Sequence, residues 1–170
     1  LRSFSVSGRV KNPGVKIAPA GISLIELVEE FCGGMLDGHD LYGYLPGGAS
    51  GGILPSRLAD IPLDFDTLQE HGCFIGSAAV VVLSQHDKAR EEATNAMDFF
   101  VDESCGQCSP CRLGTHHAAR LMKESAWDLS ALESLSHVLK DASICGLGQA
   151  APNVIDCVRN YFPAEIKDHD

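Results

Sequence analysis

Within ESCGQCSPCRLG, residues 103–114, Cys105, Cys108 and Cys111 follow one another at two-residue gaps. No other stretch limits the fold as much. A disulfide framework suits a short secreted chain with an even cysteine count. This chain has seven cysteines, the others being Cys32, Cys73, Cys145 and Cys157 at uneven spacing. Three thiols crowded on one loop read instead as metal ligands in a reducing compartment.

The Cys-x2-Cys-x2-Cys pattern points to a 4Fe–4S cluster. Each iron needs one thiolate, and two-residue gaps let a tight loop wrap three corners of the cube. Gly106 lets the backbone fold sharply, and Pro110 fixes the exit into the next helix. Loop N–H groups and the helix start turn positive dipole ends toward an anionic cluster. In bacterial ferredoxin loops a fourth Cys soon follows, before Pro. Here Thr115 stands in that place, so the fourth ligand is remote. The candidates are Cys145 and Cys157. Cys157 falls in an apolar stripe, where a thiol is an ordinary core residue. Cys145 lies in SICGLGQ, a glycine-rich bend free to face a cluster, and is preferred. The competing reading is zinc, with His116 or His117 replacing a thiolate. Structural zinc usually joins two separated pairs, and a triplet with a middle cysteine fits a tetrahedron poorly. Cys32 and Cys73 read as plain core or surface thiols.

Charge and hydropathy remove other classes. With 23 acids against 13 bases the formal net charge is −10, which argues against a nucleic-acid surface. No run of 18 apolar residues occurs, so no membrane-spanning helix is expected. LRSFSVSG has neither a Met nor a basic-then-apolar leader, and Leu1 reads as a cut point in a longer protein. GGASGG (47–52) lacks the Lys and Ser/Thr of a phosphate loop. GLGQAA (146–151) follows a helix without a surrounding βαβ unit. His116 and His117 read as solvated or packed side chains on a helix surface.

The texture changes near residue 85. Before it, SVSGRV and VKIAP read as strands about a Pro13-Gly14 turn. Ser23 and Glu26 form a capping box for a helix carrying Leu24, Leu27, Val28 and Phe31, stopped by Gly33 and Gly34. LYGYLPGG and SAAVVVLS supply two more strands. After it, Ala89, Ala93, Ala96, Met97 and Phe100 share one helix face. A second helix is expected from Pro110 to Lys123 with Leu113, His117 and Leu121 in register. A third opens on a Ser130–Glu133 capping box with Leu132, Leu135, Val138 and Leu139 inward. Pro152 suits a first helical position, ahead of a stripe of Val154, Ile155, Val158, Tyr161 and Phe162 that Pro163 interrupts. The reading is an α+β protein: a β-grasp-like unit over 1–85, then a four-helix-type bundle over 86–170 that binds 4Fe–4S.

ESCGQCSPCRLGT followed by SICGLG resembles the C-terminal region of the flavin-carrying subunit of NADH dehydrogenase (respiratory complex I). NAD-linked formate dehydrogenases and NAD-reducing hydrogenases share that region. SGRVKNPGVKIAPAGISLIELVEEFCGGM resembles the soluble-ligand-binding β-grasp (SLBB) domain that precedes it. FDTLQEHGCFIGSAAVVVLS and CRLGT look most like the β subunit of NAD-dependent formate dehydrogenase. The resemblance implies that Cys105, Cys108, Cys111 and Cys145 hold the cluster. It also implies that backbone at Gly146 and Leu147 faces FMN. It places the FMN and NADH sites in an N-terminal domain missing here, so this piece alone should not oxidise NADH. The implied role is single-electron relay between FMN and the centres of partner subunits, one of them carrying 2Fe–2S. The implied location is cytoplasmic, peripheral to the inner membrane within a complex. The β-grasp part is expected to be a docking or scaffold unit. The runner-up is a zinc-stabilised docking module without redox activity.

Overall fold

Phe4 and Val6 alternate with exposed Ser3, Ser5 and Ser7, which gives β1 (Arg2–Gly8) one buried face. The computed structural model describes residues 1–167, and β1 belongs to the first of two compact units, Leu1–Lys88. β2 (Gly14–Ala18) returns antiparallel across the Pro13-Gly14 turn, with Phe4 opposite Lys16. β5 (Ala79–Ser84) runs parallel to β1 with Val6 beside Val80, and antiparallel to β3 (Leu41–Leu45). β4 (Leu54–Pro55) is a two-residue edge, too short to read from sequence. The mixed sheet has the order β2-β1-β5-β3-β4.

Ser23 and Glu26 make the expected capping box. The Ser23 Oγ accepts from Glu26 N–H at 3.3 Å, and Ser23 N–H donates to Glu26 Oε2 at 2.9 Å. The helix that follows is not uniform. α1 (Leu24–Glu26) passes at once into a π-helical turn, Leu27–Phe31. Leu24, Leu27 and Val28 are buried as expected. The wider turn carries Phe31 off the α spacing and leaves it half-buried. A further short helix, α2 (Phe65–Glu70), is capped by Asp64, whose Oδ1 accepts from Thr67 N–H at 2.8 Å. The core side chains include Phe4, Tyr44, Leu54, Leu68 and Val80, all fully buried. The Tyr44 hydroxyl donates to Leu58 O at 2.8 Å, and burial pushes its pKa up. The GGASGG loop is packing, not a phosphate cradle. A Cβ on Gly47 would lie 2.3 Å from Phe74 O and 2.5 Å from Ile75 O.

The first unit runs to Lys88, a little beyond residue 85, and Asp87 closes off the end of β5. Its carboxylate accepts two hydrogen bonds from Arg9, at 3.0 and 2.8 Å, and one from Ser84 N–H at 2.9 Å. The Arg9 bonds above all hold its pKa down to about 2. A carboxyl depressed in the folded state stabilises above its unfolded value, near 3.8, and loses that contribution as pH falls through about 2. Arg9 is 44% exposed, so solvent screening limits the gain. Asp87→Asn is expected to cost about 1 kcal/mol at pH 7. In urea melts the gap from wild type should persist down to about pH 4 and close toward pH 2. An unchanged gap across that window would show that the charge is not what matters.

The second unit begins with α3 (Ala89–Glu103), which buries Ala89, Ala93, Ala96, Met97 and Phe100 on one face. Its free N-terminal N–H groups are met from far along the chain. Glu165 accepts from Ala89 N–H at 3.2 Å and Arg90 N–H at 3.0 Å. α4 (Ser109–Met122), α5 (Leu129–Ala142), α6 (Gly146–Ala150) and α7 (Asn153–Tyr161) follow. α7 buries Val154, Ile155, Cys157 and Val158, with Pro152 one position earlier than expected, at the cap.

Three sequence expectations fail here. α5 is capped by Asp128, whose Oδ1 accepts from Ala131 N–H at 3.0 Å. Ser130 lies inside the helix and does not cap its start. Asp caps at least as well as Ser, and Asp128 comes first. The inward face of α4 is Cys111, Gly114, Thr115, Ala118, Ala119 and Met122. Leu113 and His117 point outward, as does Val138 of α5. These three, with Pro110, Gly114 and Leu135, line an open groove of about 350 Å³. Small residues win the inward face because the helices approach closely. A Cβ on Gly114 would lie 3.1 Å from Leu139 Cδ2.

Candidate metal centre

α3 ends where Ser104 N–H reaches Phe100 O at 3.1 Å. The chain must then reverse into α4 within a few residues. Gly106 makes the reversal at φ +75°, in the region that costs other residues most. Arg112 reaches back from α4 and donates to Gly106 O at 2.7 Å, pinning the loop. Cys108 is the cap residue of α4, with its carbonyl accepting from Arg112 N–H at 3.0 Å. Cys111 lies one turn in and is buried. The Thr115 hydroxyl fixes that turn by donating to Cys111 O at 2.7 Å. Thr115 is therefore a helix-locking residue where a ferredoxin loop would carry its last cysteine.

The remote segment comes to this loop. Backbone at Ile144, and after it at Cys111, faces the Cys108 thiol and holds it below its ordinary pKa. Ile144 immediately precedes Cys145. α6 also packs on α4 at Gly148, where a Cβ would sit 3.0 Å from Cys111 Cβ. Cys108, Cys111 and the segment 143–148 thus share one neighbourhood. Cys105 and Cys145 are exposed at its surface. Cys157 is buried in α7 at 2% exposure. His116 and His117 are exposed, and His117 Nε2 lies 3.3 Å from Arg120 Nη2 on the outer face. Cys32 and Cys73 are buried in the other unit. Gly146 has open space where a Cβ would go, and Leu147 is half-buried.

Among the described residues no three His, Cys, Asp or Glu side chains converge as a single-ion site. The donor set nonetheless suits an iron–sulfur group. It offers soft thiols, one of them favoured toward its charged form by the backbone around it. Two hydroxyls at the site were not foreseen. Ser104 Oγ lies 3.3 Å from Cys111 Sγ, and Ser143 Oγ is buried beside Gly148. No sequence signal separates these serines from the rest; only the fold brings them to the cysteines.

Residues 91–169 match the family described as the NADH-ubiquinone oxidoreductase-F iron-sulfur binding region. The match spans nearly all of the helical unit. The likeness to such proteins extends through the sheet unit as well. The chain is 35% identical to the mitochondrial NADH dehydrogenase [ubiquinone] flavoprotein 1 of Dictyostelium discoideum, covering 97% of this chain and 36% of that protein. It is also 35% identical to the NADP-reducing hydrogenase subunit HndC of Solidesulfovibrio fructosivorans, covering 98% and 35%. A crystal structure of NAD+-reducing [NiFe]-hydrogenase in the H2-reduced state superposes with a TM-score of 0.85 at 28% identity, over 99% of this chain and 30% of that one. The chain thus spans well under half the length of these relatives. The expected likeness to the flavin-carrying NADH dehydrogenase subunit and its hydrogenase kin holds.

Proposed function

We propose that this chain is the electron-relay portion of a larger NAD(H)-linked oxidoreductase subunit, with Cys105, Cys108, Cys111 and Cys145 as ligands of a 4Fe–4S cluster. The observation that carries the reading is the close approach of α6 to α4, where a Cβ on Gly148 would lie 3.0 Å from Cys111 Cβ. It ties the remote cysteine segment to the triplet before any cluster is considered. The cluster supplies one-electron transfer between a flavin and other iron–sulfur centres. The chain's own residues position and insulate it. Gly106 and Arg112 shape the loop, Thr115 fixes the turn that bears Cys111, and N–H donors favour negative charge on sulfur.

In this reading FMN and NAD(H) bind a part of the subunit outside this chain, and Gly146 and Leu147 present backbone toward the flavin. Partners include a 2Fe–2S subunit, and the complex works in the cytoplasm or at the inner membrane face. Among the described residues no helix is long and apolar enough to cross a membrane. The strand order β2-β1-β5-β3-β4, with β1 and β5 parallel, supports a β-grasp (SLBB-like) reading of the first unit, in a docking or scaffold role. Within the family, the sequence around Phe65–Ser84 favours a formate dehydrogenase parent.

Anaerobic purification with metal and sulfide analysis tests the proposal. About four irons and four sulfides per chain are expected, with no dye reduction by NADH. One zinc and no sulfide would support the docking-module reading instead.

A further inference from the structure

We propose that Ser104 and Ser143 are hydroxyl donors to the sulfur on the Cys111 side of the cluster, and that together they raise its reduction potential. The inference rests on the cluster reading above and deepens it.

For Ser104 the direction of the bond follows from a count of protons. Its Oγ lies 3.3 Å from Cys111 Sγ. The same oxygen accepts from Gly106 N–H, also at 3.3 Å. A hydroxyl has one proton to give, and the Gly106 bond uses a lone pair and leaves that proton free. A Cys that ligates iron is a thiolate and only accepts. Ser104 must then donate to Cys111.

Ser143 reaches the same place from the other side. It is 6% exposed, and among the described residues its Oγ has no hydrogen-bond partner. A buried hydroxyl without a partner is costly to the fold. Its surroundings say what it faces. A Cβ on Gly148 would lie 2.4 Å from Ser143 Oγ and 3.0 Å from Cys111 Cβ. The hydroxyl and the Cys111 side chain therefore both flank Gly148, the residue whose missing side chain leaves room for them. The sulfur-rich group that Cys111 holds is the acceptor this hydroxyl lacks.

Reduction adds negative charge to a cluster and its thiolates. O–H dipoles aimed at a sulfur stabilise that charge more than they stabilise the oxidised form, so they raise the potential. Removing either should lower it.

The experiment is a redox titration of the anaerobically reconstituted chain, followed by electron paramagnetic resonance. Ser104→Ala and Ser143→Ala are each expected to shift the midpoint negative, and the double variant by about the sum. Ser104→Thr, which keeps the hydroxyl, should stay near wild type. The metal-free Ser143→Ala chain should melt no earlier than wild type, because it loses an unpartnered hydroxyl. That separates a donor to the cluster from a structural residue. Variants that load four irons at an unmoved midpoint overturn this inference alone. A wild-type chain that takes zinc and no sulfide overturns the cluster reading and this inference with it.

Discussion

Cys145→Ala is expected to leave the chain folded and nearly free of iron. The side chain is exposed, so its removal costs the fold almost nothing. In the proposed ligand set it closes the cluster, so its loss should reduce cluster retention by at least the roughly 10–100-fold that even an outer partner of a metal ligand is worth. Cys157→Ala should do the reverse. That thiol is 2% exposed within α7, and truncating it leaves a small cavity costing about 1 kcal/mol. The variant should melt earlier yet carry full iron. Iron and sulfide analysis beside a thermal melt reads both. Should Cys157→Ala lose the cluster while Cys145→Ala keeps it, the ligand set proposed here is wrong.

Gly148→Ala should damage the site without touching a ligand. A methyl there would sit 2.7 Å from Ser143 Cβ as well as 3.0 Å from Cys111 Cβ. The Ser143 hydroxyl could rotate away, but the two Cβ atoms cannot. Either α6 moves off α4 or both distort, at about 1–3 kcal/mol. Alanine's better helix propensity, about 1 kcal/mol over glycine, offsets only part of that. Movement of α6 carries Cys145 away from the triplet, so iron retention should fall along with stability. Gly146→Ala is the control. Nothing lies within 4 Å of a Cβ there, so stability and iron content should both hold. Equal iron retention in the two variants would show that the α4–α6 approach does not position the cluster ligands.

The iron–sulfur character of the helical unit was legible early, because three cysteines at two-residue gaps suit such a cluster better than a single ion. The face of α3 was legible because large and small apolar residues fall on it together. α4 misled because hydropathy favours Leu113, which is exposed, whereas close packing selects Gly114, Ala118 and Ala119. A sequence scan weighs side-chain size and polarity, and it does not see the distance to the neighbouring helix. The Asp128 cap was missed for a related reason. Ser130 and Glu133 match a motif, but a cap depends on where the backbone leaves the helix, and Leu129 already lies inside it. Ser104 and Ser143 had no sequence signal at all. One is placed by a glycine reversal, the other by a close helix approach.

The clasp between Glu165 and the first turn of α3 has a consequence for how such units are used. It brings the start of the helical unit, at Ala89 and Arg90, against its far end near Glu165. With those two points pinned together, the helices between them form a closed excursion whose loops can lengthen without parting Ala89 from Glu165.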